Sequence, residues 1–267
     1  MDLKLNSKTA FISGSYRGTG RAIAQTLARE GVQVLIHGFE TGQAEPVAQE
    51  LCDAGMSAGA VTGDLMSDEG ADDLLAQAKA AYGGVDILVN NYGTAEAGSW
   101  KKSGASDWVA AYEKNVLSAV RLSQRMLPYM KENGWGRIIH LGTIGSTQPA
   151  ARMPHYYAAK GALATLNVSL AKELANTGIT VNLVSPGLIR TAEVEASFRA
   201  LAEKKGWGED WSEIARKGME KFGSSLTGGM PDPQEIADAV AFLASPLAAN
   251  ITATNMRIDG GATALVT

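Results

Sequence analysis

The stretch HYYAAKGAL, residues 155–163, sets two tyrosines side by side with a lysine just after them. On a helix, residues four apart lie one above the other, so Tyr156 and Lys160 share a face, and Tyr157, three before the lysine, is the second candidate. A free phenol gives up its proton at a pH of about 10. An ammonium one helical turn away favours the phenolate and lowers that value. Such a pair can donate or take a proton near neutral pH. The same spacing also arises where an amphipathic ring lies beside a solvated charge, so the pair needs support from the rest of the chain.

A second constellation lies near the start. AFISGSYRGTGRAIA reads as a strand, a glycine-rich turn and a helix, with Gly14, Gly18 and Gly20 in the pattern G-x-x-x-G-x-G. Glycines there let the backbone turn tightly and approach a pyrophosphate, whose charge a helix N-terminus favours. An ordinary strand–helix turn rich in glycine is the plainer reading, but the position after the first strand and at the head of the first helix suits a dinucleotide. An NAD-selective site usually places an acid at the end of the second strand, on the ribose hydroxyls. Here that strand ends VLIHGFE, with Gly38 where the acid is expected. Arg17 inside the glycine turn can pair with a 2′-phosphate. NADP(H) is therefore favoured and NAD(H) stays open, since Glu40 could reach the ribose if the turn runs differently and Arg17 could be a solvated surface residue.

These groups need a scaffold. Six strand-like runs, KTAFISG, VQVLIHG, VDILVNN, GRIIHLG, ITVNLVS and TNMRIDG, with a weaker seventh, SAGAVTG, alternate with segments of helical period. GRAIAQTLAREG sets Ile23 and Leu27 on one face and stops on Gly31. This alternation, with strands apolar on both sides, predicts an α/β fold: one domain, a doubly wound parallel sheet with helices on both faces. Residues 192–230 break the rhythm and read as two inserted helices before the last strand, carrying Phe198, Trp207, Trp211, Met219 and Phe222. Those rings either pack the helices onto the body or onto a neighbouring subunit, or form the apolar underside of a substrate lid.

Composition limits the partners. The 267 residues are 45% hydrophobic, enough for a sizeable core, and the net charge of −4 is spread along the chain. No basic patch points to nucleic acid and no apolar run is long enough to cross a membrane. The N-terminus does not read as a secretory signal, so a cytoplasmic location is expected. One cysteine and three scattered histidines offer neither a disulfide framework nor metal-ligand spacing.

Taken together, these segments make the chain similar to the short-chain dehydrogenase/reductase family along essentially its whole length. SGSYRGTG matches the family's dinucleotide turn, GDL its acid after the third strand, NNYG a motif that usually reads NNAG, KN its helix asparagine, YYAAK its tyrosine-x-x-x-lysine and SPGLIRT the segment that closes over the nicotinamide. The resemblance implies a Rossmann-like fold and an NADP(H)-dependent carbonyl reductase of the 3-oxoacyl reductase type. It also implies that hydride passes between nicotinamide and a small-molecule carbonyl or alcohol, with Tyr156 the proton donor or acceptor. Lys160 would also bond the nicotinamide ribose, and Asn115 would hold a water linked to Lys160. Gly14, Arg17, Gly18, Thr19, Gly20, Asp64, Leu65, Asn91, Gly93, Pro186, Gly187, Ile189 and Thr191 would join Tyr156 and Lys160 in holding the cofactor. A homo-oligomer, tetramer or dimer, follows from the same resemblance. By this logic Tyr157 packs against the sheet. A related fold that binds a dinucleotide with little turnover is the competing class.

Three positions leave the family pattern. Thr143 stands where a serine is usual, thirteen residues before Tyr156; its hydroxyl can still bond a substrate oxygen, with Ser146 as the rival donor. Tyr92 replaces a small alanine and either narrows the site, on the nicotinamide or the adenosine side, or fills a gap. His155 lines the substrate mouth or is simply exposed.

Overall fold

Runs rich in β-branched and apolar residues form the seven strands β1 (Thr9–Ile12), β2 (Gln33–Gly38), β3 (Ala58–Thr62), β4 (Ile87–Asn90), β5 (Gly136–Leu141), β6 (Ile179–Pro186) and β7 (Asn255–Ile258) in the computed structural model, which describes residues 2–220 and 225–263. They make one parallel sheet in the order β3-β2-β1-β4-β5-β6-β7. The weak run at SAGAVTG is the edge strand β3, only one of whose residues is fully buried, which explains its faint apolar signal.

Side-chain alternation divides the core into two layers. Ala10, Ile12, Val34, Ile36, Ile87 and Val89 face α1 (Gly18–Arg29), α2 (Glu45–Asp53) and α9 (Pro233–Ala244). Phe11, Leu35, Leu88, Ile138 and Val181 face α3 (Asp68–Tyr82), α5 (Ser118–Glu132) and the C-terminal part of α6 (Pro154–Glu173). Because both faces are covered, the strands read as continuous apolar runs. The molecule is a single doubly wound domain. From β1 the chain winds outward to β2 and β3, then returns to β4 on the other side of β1. The two halves part at the C-terminal ends of β1 and β4, where such sheets form their ligand crevice.

The two inserted helices are present as α7 (Ala192–Lys205) and α8 (Trp211–Met219). Their rings pack neither into the sheet core nor onto a flat surface. Phe198, Ala202 and Ile214 form a small core of their own, with Leu188, Val194, Trp207, Trp211 and Met230 around it. Gly218 permits this approach, because a Cβ there would strike the Phe198 ring. Phe222 lies outside the described residues. Among the described residues, no helix is long and apolar enough to cross a membrane, and no group of His, Cys, Asp and Glu could hold a metal ion.

Candidate active site

The glycine-rich turn joins β1 to α1. Gly14 and Gly18 have φ of +64° and +55°, a region that side chains strain to enter. A Cβ on Gly20 would come within 2.6 Å of Asn91 Nδ2 and 2.7 Å of the Gly14 carbonyl. Helix α1 begins on Arg17 as N-cap, with no side-chain cap and no acid in its first turn. Its first N–H groups are thus left for an anion. His37 braces the turn from β2. The Gly14 N–H donates to its Nδ1 at 2.9 Å, so Nε2 carries the proton and meets the Gly63 carbonyl at 3.0 Å. Burial lowers the His37 pKa to about 4, which keeps that neutral form.

A cleft of about 690 Å³ runs over this turn. Phe39 and Tyr92 line one end, Gly14, Tyr16, Arg17, Gly18, Thr19 and Gly20 the middle, and Thr143, Tyr156, Lys160, Pro186, Gly187, Ile189 and Thr191 the other. Asn91 and Gly93 also line it. The uncapped helix start, the positive-φ glycines and a cleft of this volume fit a dinucleotide with its pyrophosphate over the turn.

Two of the residues expected beside the cofactor do not border this cavity. Leu65 is fully buried in the second core layer, and the Asp64 carboxylate accepts the Met66 N–H at 2.8 Å; neither lines the cleft. Glu40 is exposed and also stands outside it. Arg17 lies on the rim, where it pairs with Glu193 of α7 at 3.5 Å and lies over the Tyr16 ring.

At the other end, three elements meet. Helix α6 starts on Met153 and Pro154, which presets φ for the first turn. Tyr156 and Lys160 then project from one face, one turn apart. Lys160 is 4% exposed and donates to the Leu141 carbonyl at 2.8 Å. Burial lowers its pKa to about 8. Asn115 is buried in a π-turn, Glu113–Leu117, that joins α4 (Ala105–Tyr112) to α5. Its side-chain amide bonds Thr94 N and O, both at 3.1 Å, and the Ala111 carbonyl at 2.9 Å. Gly93 fits between, since a Cβ there would meet Asn115 Oδ1 at 2.5 Å and Lys160 Nζ at 2.8 Å.

Helical spacing suggested that the lysine lowers the tyrosine's pKa. The structure reverses that balance: burial and the neighbouring Tyr157 push the Tyr156 phenol up to about 12, and the only group pulling it back is the Thr143 hydroxyl. Lys160 is turned to a backbone carbonyl instead. Thr143 follows β5 in extended conformation; its hydroxyl accepts the Gly145 N–H at 3.2 Å and favours the ionised form of the Tyr156 phenol. Ser146 is turned away, donating to the Thr143 carbonyl at 2.7 Å.

A second cavity, of about 310 Å³, adjoins the cleft and shares Ala95, Thr143, Tyr156 and Gly187 with it. Leu188, Met219 and Pro231, from the segment around the inserted helices, close one side, and Gln148, Met153 and Tyr157 another. Tyr157 is therefore a cavity wall and not a sheet contact. It rests on Gly145, where a Cβ would occupy its ring. His155 is corrected too: it is 3% exposed, on the first turn of α6, against Gly98 and the Trp108 ring, and lines neither cavity. Sequence reasoning missed Phe39, Tyr16 and Glu193 as cleft residues and His37 as a brace, because nothing in their local spacing marks them.

Residues 14–263 match the family model described as enoyl-(acyl carrier protein) reductase. The chain belongs to the short-chain dehydrogenase/reductase family. An uncharacterized oxidoreductase, YvaG, of Bacillus subtilis is 36% identical over 98% of both chains. The 3-oxoacyl-[acyl-carrier-protein] reductase FabG of Vibrio cholerae is 34% identical over 97% of this chain and 98% of its own. Among solved structures, L-sorbose reductase from Gluconobacter frateurii, complexed with NADPH and L-sorbose, superposes with a TM-score of 0.93 at 30% identity over all of both chains. A 7α-hydroxysteroid dehydrogenase complexed with NADH gives 0.85, also at 30% identity, over 100% of this chain and 98% of that one. This short-chain dehydrogenase/reductase is thus an oxidoreductase with relatives crystallised on either nicotinamide cofactor. Its cleft and its adjoining cavity meet at Thr143 and Tyr156.

Proposed function

We propose that the chain is an NADP(H)-dependent carbonyl reductase that also runs as an alcohol dehydrogenase, acting on a small ketone or secondary alcohol. The observation that carries this reading is that Tyr156 and Thr143 form the boundary between the two cavities. A substrate oxygen in the smaller cavity can meet both hydroxyls while its carbon faces the larger one. The nicotinamide, when bound, supplies or accepts the hydride. Tyr156, protonated at neutral pH with its pKa pushed to about 12, is the acid that delivers a proton to the nascent alkoxide. Thr143 orients that oxygen and stabilises its charge. Lys160, buried one helical turn beyond Tyr156 and held on the Leu141 carbonyl, lines the cleft where the nicotinamide ribose would lie. Asn115 fixes the loop that carries Gly93 beside Lys160. Helices α7 and α8 serve as the lid: Met219 of α8 lines the substrate cavity, and their private core lets them shift as one unit.

NADP(H) is favoured by Arg17 on the rim and by the missing acid at Gly38. The Arg17–Glu193 pair supports NAD(H) as the second reading, because it occupies the guanidinium that would grip a 2′-phosphate. The deciding experiment is a screen of ketones and secondary alcohols with both cofactors, followed by the absorbance of the reduced nicotinamide. Turnover with NADPH at a kcat/KM well above that with NADH supports the proposal. No turnover by a chain that binds cofactor would replace it with a dinucleotide-binding role.

A further inference from the structure

Tyr92 is the departure from the family pattern that the proposed chemistry leaves unused. The Ser13 hydroxyl accepts the Asn91 and Tyr92 N–H groups, both at 3.0 Å, and so fixes the backbone under the ring. From there the side chain crosses Gly14, where a Cβ would lie 3.5 Å from both Tyr92 Cβ and Cδ2. It ends against Phe39, with ring centroids 4.7 Å apart and planes tilted by 56°. Phe39 in turn meets His37 edge-on at 4.9 Å, and His37 lies 5.8 Å from Phe11 in the core. A row of four rings thus runs from the core to the cleft, and its outer two members are half-buried cleft walls.

The row stands at the β2 end of the cleft, on the far side of the glycine turn from Tyr156. No acidic side chain lines the cleft beside these rings. Gly38 replaces the acid, Glu40 lies outside the cleft, and so does Asp64, one of whose carboxylate oxygens accepts the Met66 N–H. Flat apolar faces are what remain, and these bind heteroaromatic bases by stacking and edge contacts.

We propose that Phe39 and Tyr92 are a platform for the adenine ring of the dinucleotide, so that this chain holds the adenosine half by aromatic contact. The proposal rests on the dinucleotide reading above. It assigns Tyr92 a binding task and makes the alanine-to-tyrosine departure a gain of contact area.

The test is equilibrium binding of 5′-AMP, nicotinamide mononucleotide and NADPH to the full chain, by calorimetry or ligand-observed NMR. The proteins are wild type, Tyr92→Leu, Tyr92→Phe and Phe39→Leu. Leucine keeps apolar bulk and removes the flat face. Tyr92→Leu and Phe39→Leu should weaken 5′-AMP and NADPH by about ten- to a hundredfold and leave nicotinamide mononucleotide unchanged, while Tyr92→Phe binds like wild type. If Tyr92→Leu binds 5′-AMP as tightly as wild type, the ring is only filler and the platform is wrong. Equal losses for both mononucleotides would also overturn it, since they report damage to the turn. A wild-type chain that binds neither 5′-AMP nor NADPH removes the dinucleotide reading and the platform together. Retained NADPH binding in both leucine variants removes the platform alone.

Discussion

Replacing Thr143 by valine keeps its shape and removes a hydroxyl that acts on two neighbours. The first is the Gly145 N–H at 3.2 Å, a cap on the short turn after β5. Losing a cap of this kind costs about 1 kcal/mol of stability, which in a chain of this size lowers Tm by roughly 2–4 °C. The second is Tyr156, where the hydroxyl opposes the upward push of burial on the phenol. If the same hydroxyl stabilises the developing alkoxide, its loss removes about 2.7–4 kcal/mol from the transition state, or roughly a hundred- to a thousandfold in kcat. The two effects separate cleanly, because a stability loss of that size leaves the folded fraction near one well below Tm. The assay is steady-state turnover at 25 °C on the best ketone from the screen, with thermal melts of each variant. Thr143→Val should lose about two to three decades in kcat with a smaller change in KM; Thr143→Ser should retain most activity. A second readout follows from the pKa. Thr143 favours the phenolate, so without it the Tyr156 pKa rises further, and the alkaline limb of alcohol oxidation should move to higher pH in the valine variant. Equal kcat for valine and serine would refute the assignment, and a backbone N–H or Ser146 would then have to hold the substrate oxygen.

Tyr156→Phe should abolish turnover and leave NADPH binding intact, whereas Tyr157→Phe should keep kcat and change KM at most, because Tyr157 is a wall of the substrate cavity; activity and binding measured together would expose the reverse ranking. Arg17→Ala should weaken NADPH about tenfold with little effect on NADH, and Glu193→Gln, by releasing the exposed Arg17, should tighten NADPH by a few-fold; parallel changes for both cofactors in a binding titration would show that neither residue reads the 2′-phosphate. Burial lowers the folded-state pKa of His37 to about 4 and of His140 to about 3. The unfolded chain therefore binds protons below about pH 6.5 that the folded chain refuses, and stability should fall from there toward pH 4 at up to about 1.4 kcal/mol per pH unit for each histidine. Denaturant midpoints at a series of pH values should show a shallower fall in His140→Asn, and an unchanged slope would sink this account.

Much of the molecule is written in local spacing. Alternating β-branched runs and helical periods specify a doubly wound sheet, since strands covered on both faces must be apolar on both. The glycine turn is legible because φ of +64° and +55° at Gly14 and Gly18 is a backbone demand that few other residues meet. Tyr156 and Lys160 are brought to one face by helical period alone. What those side chains then do was decided by tertiary packing. Lys160 is directed to the Leu141 carbonyl, a strand partner nineteen residues away, and the phenol is raised by burial where spacing argued for lowering. Desolvation depends on everything packed around a group, and no short window of sequence contains that sum. His155 shows the same limit, exposed by the logic of loops yet buried by Gly98 and Trp108. So do Phe39 and Tyr92, 53 residues apart in the chain and in contact only because β4 returns beside β1. Period and turn chemistry are set by neighbours in sequence; burial, and the contacts that span the switch of strand order, are set by neighbours that only the folded sheet supplies.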